Sequence, residues 1–148
     1  MPDTIRQQII SAIDTQLKTI LVAGGYRTNL GQNVVEWDLT PMDPSQDVFR
    51  LTYRDEEETR ADLSVGEQDM ALPLTILALA SGNTSLAEMR KMVADVVSAM
   101  YADPTWGGIA SDTVQDGVTK LDKAQAADQA SGAELKFRVE YAVERGTS

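Results

Sequence analysis

Apolar residues dominate one stretch, residues 71–80, more strongly than any other part of the chain. A nearly continuous apolar run of this length predicts a strand that is buried on both faces. Pro73 lies near its start, where the missing amide hydrogen of proline is tolerated. A turn over residues 81–83 follows. This strand and the helix after it form one unit, residues 71–108, against which we expect the rest of the chain to pack.

The second half of that unit is a predicted helix from about Ser85 to Tyr101. Ser85 and Glu88 have the spacing of a capping box, in which each side chain accepts a hydrogen bond from the other residue's amide. Asp103 ends the helix, because the residue before a proline is disfavoured in helical geometry. The apolar stripe consists of Leu86, Met89, Val93, Val96, Val97 and Met100. The polar positions placed outside that stripe are Arg90, Lys91 and Asp95.

Another amphipathic helix is predicted near the start of the chain. Asp3 or Thr4 supplies its cap, and Gly24 and Gly25 end it after about five turns. The one-sided stripe is wide enough to cover a sheet, and its polar face lacks the basic residues of a membrane-surface helix. The stripe consists of Ile5, Ile9, Ile10, Ile13, Leu17, Ile20 and Leu21.

Strands account for most of the remaining pattern. Alternation with period two over residues 34–39 and 48–53 is typical of an antiparallel pair, here joined by a loop that contains Pro41 and Pro44. Residues 113–122 are a further strand candidate.

The clearest strand is residues 134–143, in which apolar and charged positions alternate strictly. Its apolar set is Leu135, Phe137, Val139, Tyr141 and Val143. Its opposite set is Glu134, Lys136, Arg138 and Glu140. The small and polar residues 123–133 predict a flexible loop, and residues 144–148 a short polar tail.

Carboxylates are concentrated in a polar stretch, residues 54–69. A calcium-binding loop would need ligands at alternate positions, a turn glycine and a distal bidentate glutamate, and the sequence lacks that spacing. We therefore expect a solvated, flexible loop. Its principal acidic residues are Asp55, Glu56, Glu57, Glu58 and Asp62.

A small loop after the second helix places Trp106 between Thr105 and the glycines Gly107 and Gly108. Glycines let the backbone turn sharply and approach a neighbour closely. An indole in such a loop has two interpretations: it plugs the end of the sheet, or it projects as the anchor of an interface.

Charge and composition exclude several classes of function. The chain carries 13 basic and 23 acidic residues, a net charge of −10 at pH 7, and no basic cluster that a free nucleic-acid-binding surface would need. It has no cysteine and no histidine, which removes disulfides, thiolate and imidazole metal sites and histidine-dependent catalysis. The acidity provides solubility, or, as a sharper alternative, a surface past which a polyanion moves without adhering.

Sequence motifs for phosphate binding, dinucleotide binding and zinc or serine hydrolysis are absent. We predict no enzymatic activity, no cofactor and no metal site. The start of the chain lacks the features of a signal peptide, and no apolar run approaches the roughly 20 residues of a membrane span. The 148 residues fit a single α+β domain, which we expect to be soluble and made in the cytoplasm.

The chain resembles the tail terminator, or tail completion, proteins of long-tailed bacteriophages and prophages, a family of minor tail proteins related in fold to the lambda-type terminator. Thr105-Trp-Gly-Gly108 is the most specific part of the resemblance, which follows nearly the whole chain in order. The other segments that carry it are Ile5-Arg-Gln-Gln-Ile9, Gly25-Tyr-Arg-Thr28, the strand with Trp37, Leu72-Pro-Leu-Thr-Ile76, the helix to Tyr101, Asp103-Pro-Thr-Trp-Gly-Gly-Ile-Ala110 and Phe137-Arg-Val-Glu-Tyr141.

The resemblance implies a structural role in the virion. The implied fold is a mixed, mainly antiparallel sheet with two long amphipathic helices packed on one face. The implied assembly is a homo-hexameric ring on the head-proximal end of the tail tube, which stops polymerisation of the tube protein and meets the head–tail connector protein. DNA would pass through the lumen without specific binding, and no membrane partner is implied.

Two sets of residues are candidates for that role. The subunit or partner interface is expected at Asp103, Thr105, Trp106, Gly107 and Gly108. The lumen-facing acidic loop is expected at Asp55, Glu56, Glu57, Glu58 and Asp62. The alternatives are another neck ring protein (a head-completion or stopper protein), a small monomeric domain that binds a ligand beside Trp106, and a hydrolase that uses carboxylates alone.

Overall fold

The computed structural model describes residues 3–40, 42, 49–64, 66–81, 85–116, 120–122 and 131–144. Within them lie two α-helices, α1 (Ile5–Leu17) and α2 (Leu86–Tyr101), and two short 3-10 turns, Val22–Gly24 and Leu30–Gln32. The strands of the one sheet are β1 (Val34–Glu36), β2 (Phe49–Asp55), β3 (Thr59–Ser64), β4 (Glu67–Ala80), β5 (Asp112–Gln115), β6 (Lys120–Asp122) and β7 (Ser131–Glu144). The chain is therefore α+β with a mixed sheet, as the sequence predicts.

Strands β4 and β7 form the centre of the sheet. Each is 14 residues long, and they pair antiparallel along their whole length, from Glu67 opposite Glu144 to Ala80 opposite Ser131. The prediction of a strand over 71–80 is confirmed, but β4 begins four residues earlier, and burial on both faces is wrong because most alternate residues are only partly buried. The predicted loop over 123–133 is wrong at its end, because residues 131–133 belong to β7; residues 123–130 lie outside the described part.

Two interrupted strands flank the central pair. On one side β2 and then β3 run along β4, with a break over residues 56–58; on the other side β5 and β6 run along β7. The predicted flexible loop over 54–69 is therefore wrong: β3 and β4 form a hairpin there. The backbone pairing of β3 with the long strand β4 outweighs the low strand preference of its charged residues.

Strand β1 corrects a second prediction. It pairs with β2 in parallel, so the two strands are not an antiparallel hairpin. The strand ends at Glu36, and the φ of the next residue, Trp37, is 38°, in the left-handed region. The chain then crosses the sheet face, where the Asp38 amide donates to the Thr52 hydroxyl at 2.7 Å. Arg54 lies 4.2 Å from the centre of the Trp37 ring, a cation–π contact.

One face of the sheet is apolar and buried. It carries alternate residues of the central strands, with Leu72 opposite Val139, Leu74 opposite Phe137 and Ile76 opposite Leu135. The opposite face carries the partly exposed charged positions of β7, as the alternation predicts. Most of the buried apolar residues of both helices belong to the same core as the apolar face.

Helix α1 starts where the sequence predicts and ends earlier. Thr4 is the N-cap, and its hydroxyl accepts a hydrogen bond from the Gln7 amide at 3.1 Å. The helix ends at Leu17, and Gly25, with φ 95°, closes the separate 3-10 turn that follows. Within the predicted stripe, Ile9, Ile10, Ile13, Leu17 and Ile20 are buried.

Helix α2 has the predicted cap and a different inward face. Ser85 accepts a hydrogen bond from the Glu88 amide at 3.2 Å. Leu86, predicted to be in the apolar stripe, is exposed, whereas Met92 and Asp95 are buried. The inward stripe is thus rotated from the predicted one, and the prediction that Asp95 lies outside it is wrong.

The close backbone packing around Gly31, just before β1, can be tested by substitution. Its amide donates to the carbonyl of Ile20 at 2.8 Å, and a Cβ atom added at Gly31 would lie 2.5 Å from the carbonyl oxygen of Lys18. We expect Gly31→Ala to lower the free energy of unfolding by about 1–3 kcal/mol, because backbone atoms must move apart. Chemical denaturation measures this. Gly24→Ala is the matched control, since its Cβ would meet the nearest atom at 3.4 Å; equal effects would contradict the prediction.

Candidate functional site

The loop after α2 holds its tryptophan inward. Trp106 is 5% exposed and has a φ of 52°, and its indole Nε1 donates to the Thr113 hydroxyl at 2.8 Å. That hydroxyl in turn donates to the carbonyl of Pro104 at 2.7 Å. The indole therefore plugs the end of the sheet beside β5. Of the two interpretations of this residue, the projecting anchor does not fit its burial.

The outer part of the same loop is a tight turn built on Asp103. One carboxylate oxygen accepts the Gly107 amide at 2.8 Å, and the other accepts the Thr105 hydroxyl at 3.1 Å. Gly107 and Gly108 follow with φ of 74° and 92°, which explains why glycine stands at both positions. Asp103 and the two glycines are exposed. An interface at this loop stays a prediction, and it would use this turn rather than the indole.

Three carboxylates of the acidic stretch, Asp55, Glu56 and Glu58, take part in internal contacts. Asp55, the last residue of β2, accepts the Arg6 Nε at 2.6 Å, and Arg6 also donates to the carbonyl of Glu56 at 3.0 Å. These bonds connect the first turn of α1 to the break between β2 and β3. The Glu56 side chain accepts from Arg54 at 2.8 Å and from the Thr75 hydroxyl at 3.0 Å. Both bonds, Arg54 first, hold the pKa of Glu56 below its usual value.

Two buried tyrosines donate hydrogen bonds to carboxylates at this side of the molecule. The Tyr53 hydroxyl donates to Asp14 on α1 at 2.8 Å, and the Tyr141 hydroxyl donates to Glu58. Burial first, and then the neighbouring carboxylate, raises the pKa of both phenols well above the ordinary value. Both hydroxyls stay protonated at neutral pH and act as fixed donors.

Of the five acidic residues predicted to line a lumen, the structure therefore assigns internal partners to Asp55, Glu56 and Glu58. Glu57 is exposed. The side chain of Asp62 lies outside the described residues. The five do not form a cluster with one common orientation, because each bonded carboxylate faces a different partner: Arg6, Arg54 or Tyr141.

Asp95 is the polar residue that sequence reasoning missed. It is 1% exposed, and it accepts the amides of Arg27 (3.0 and 3.1 Å) and Thr28 (2.7 Å) and the Thr28 hydroxyl (2.6 Å). These bonds connect α2 to the segment that leads into β1. The spacing of Met92, Asp95 and Ala99, three and then four residues apart, places them on one helical face and could have identified it.

Two open grooves lie on the described surface. One, of about 250 Å³, is lined by strand residues that include Arg60, Asp69 and Glu140. The other, of about 460 Å³, lies between α1 and β1 and is lined by residues that include Asp14 and Glu36. Trp106 lines neither groove. The described part of the chain contains no group of three or more side chains arranged to hold a metal ion, and none of its helices is long and apolar enough to span a bilayer.

No protein-family model matches the chain, and no curated protein matches its sequence significantly.

The geometry of Asp95 yields a stability test. Asp95→Ala would leave the partly buried amides of Arg27 and Thr28 without their acceptor, and hydrogen bonds to a charged group are among the stronger ones in proteins. We expect the free energy of unfolding to fall by about 1–3 kcal/mol in chemical denaturation. Asp69→Ala, at an exposed position on β4, is the control and should stay within about 0.5 kcal/mol of the parent. A small effect of Asp95→Ala would contradict this account.

Proposed function

We propose that this protein is a structural subunit of a tailed-phage particle. In this role six copies form a ring on the head-proximal end of the tail tube, stop its growth and join it to the head connector. The observation that supports the proposal is the mixed, mainly antiparallel sheet with two amphipathic helices, since this is the fold class that the resemblance implies. We propose further that both helices cover one face of the sheet, because most of their buried apolar residues share one core with its apolar face.

The segment of highest resemblance also supports the proposal. Thr105-Trp-Gly-Gly108 is not an irregular surface loop: three successive residues have positive φ, and Asp103 and Thr113 hold them by hydrogen bonds. Such a turn presents a rigid backbone surface. Rigid, preformed surfaces lower the entropic cost of assembly. A ring needs one surface that fits a different surface of the next copy, and this turn is our candidate for one of the two.

Assembly is the first test. Native mass spectrometry of the purified protein should give a mass six times the 16.1 kDa chain, and negative-stain images should show annular particles. If the free protein does not form rings, tail tubes are added and their ends are inspected. Tubes with capped ends support the proposal. Tubes whose ends stay bare, together with a protein that never forms a ring, contradict it.

The proposal that the acidic residues face the lumen has its own test. The structure limits which of these residues can be substituted without disturbing the fold. Asp55, Glu56 and Glu58 take part in internal contacts, so reversing their charge would disturb the fold. Glu57→Lys changes an exposed charge instead. In particles that carry it, we expect slower DNA ejection, since a positive lumen attracts the phosphate backbone. Glu57→Gln is the matched control and should have a smaller effect. Normal ejection and infectivity with Glu57→Lys would refute a lumenal position of this residue.

A further inference from the structure

Pro73 lies in the middle of β4, a strand that is paired along both of its edges. The apolar run predicts a position near the start of the strand, but β4 begins six residues before it, at Glu67. Proline has no amide hydrogen to donate to a neighbouring strand, and within sheets it is found at edges, at strand starts and at bulges. A proline in a central strand therefore needs a local explanation.

The nitrogen of Pro73 faces the break between β2 and β3. The Glu56 amide donates to the Pro73 carbonyl at 2.8 Å, directly after the pair of Asp55 with Leu74. In an antiparallel ladder two residues joined in this way exchange both of their backbone hydrogen bonds. Any residue other than proline at position 73 would therefore direct its amide hydrogen at the carbonyl of Glu56.

Arg6, in the first turn of α1, donates to that same carbonyl. Its Nη2 lies 3.0 Å from the carbonyl oxygen of Glu56, and its Nε lies 2.6 Å from the carboxylate of Asp55. The planar guanidinium holds its donors in a fixed fork, so that one side chain can bond both acceptors. The backbone carbonyl that Pro73 leaves without a ladder partner thus accepts a hydrogen bond from a charged side chain of the helix.

The break beside Pro73 contains one extra residue. The next pair along the ladder is Thr59 with Ala71. Between this pair and the pair at Pro73, the two residues Glu57 and Glu58 lie opposite Leu72 alone. Two residues opposite one define a β-bulge. Strands β2 and β3 are therefore one strand that is interrupted by a bulge next to the proline.

The bulge determines which glutamate faces inward. Asp55 lies opposite Leu74, on the core face of the sheet, so strict alternation would turn Glu57 to the core face as well. The extra residue shifts this alternation by one. The Glu58 carboxylate accepts the hydroxyl of the buried Tyr141, and Glu57 is exposed.

We infer that Arg6 supplies the hydrogen-bond donor that Pro73 lacks, and that this contact couples the docking of α1 to the position of the bulge. While α1 is docked, Arg6 holds Glu56 opposite Pro73, and the extra residue stays at positions 57 and 58. When α1 is displaced, this restraint is lost. The bulge can then move along a run of three identical side chains, residues 56–58, because register is weakly specified where neighbouring residues are alike.

This coupling is independent of the proposed ring, because every contact that carries it lies within one copy of the chain. Arg6 is a positioning residue in this account: it acts on the strand through the carbonyl of Glu56.

A double-mutant cycle between Arg6 and Pro73, measured by chemical denaturation, tests the inference. Arg6→Gln should raise the unfolding equilibrium constant of the parent about tenfold, because a carbonyl loses its bond to a charged donor. In a Pro73→Val background, which supplies the backbone donor, the increase should be about threefold or less. Lys18→Gln is the matched control: it breaks the 2.7 Å ion pair with Asp14 near the other end of α1 and should act equally in both backgrounds. Equal effects of Arg6→Gln in the two backgrounds would overturn the inference.

Hydrogen exchange of the backbone amides locates the effect. In Pro73→Val the new amide at position 73 should exchange slowly, because it faces the Glu56 carbonyl inside the ladder. In Arg6→Gln, which needs no change at position 73, the Glu56 amide should exchange faster relative to the amide of Thr52, a residue of β2 farther from the bulge. Circular dichroism checks that each variant stays folded. Rapid exchange at position 73, or an unchanged Glu56 amide in Arg6→Gln, would overturn the inference.

Removal of the extra residue tests the bulge itself. Deletion of Glu57 leaves Glu58 alone opposite Leu72, with its bond to Tyr141 retained, so the variant should fold with an unfolding equilibrium constant within about threefold of the parent. Deletion of Thr52, inside the regular ladder of β2, is the matched control and should prevent folding, because it turns the side chains on one side of the deletion to the wrong face. A Glu57 deletion that is as damaging as the Thr52 deletion would overturn the inference.

Discussion

The antiparallel pairing of β4 with β7 is the constraint on which the rest of the structure depends. Both strands are buried on the core face along most of their length. Along its other edge, each pairs with a strand that is interrupted. The breaks in those flanking strands hold polar contacts: Glu56 and Glu58 accept hydrogen bonds between β2 and β3, and Asp116, directly after β5, forms an ion pair with Arg138.

The sequence allowed the strongly periodic elements to be predicted, and these are the elements whose stability comes from one buried face. The alternation of β7, the apolar run of β4 and the caps Thr4 and Ser85 are local signals. The direction of β1 could not be predicted, because period-two alternation is the same in parallel and antiparallel strands. Strand β3 could not be predicted either, since it exists through pairing with β4 rather than through its own composition.

Polar sites were predicted less well because their partners are distant in sequence. The first turn of α1 and the end of β2 meet through Arg6 and Asp55, and α2 meets the segment before β1 through Asp95 and Thr28. A net charge of −10 suggested a free acidic surface. Several of the carboxylates instead serve as acceptors that join helices to strands, a use that composition cannot distinguish from solvation.

The order of the central strands along the chain also determines when the protein can fold. Strand β7 is the last strand described, yet it supplies one of the two central strands, and its residues pair with positions from Ala80 back to Glu67. During synthesis on the ribosome, β4 emerges well before its partner, with its apolar residues uncovered. Folding must then close a long loop, through both α2 and β5, before the main pairing can form, and such non-local pairing is slow. The nascent chain thus passes through a period in which its most apolar strand is exposed to chaperones and to other chains.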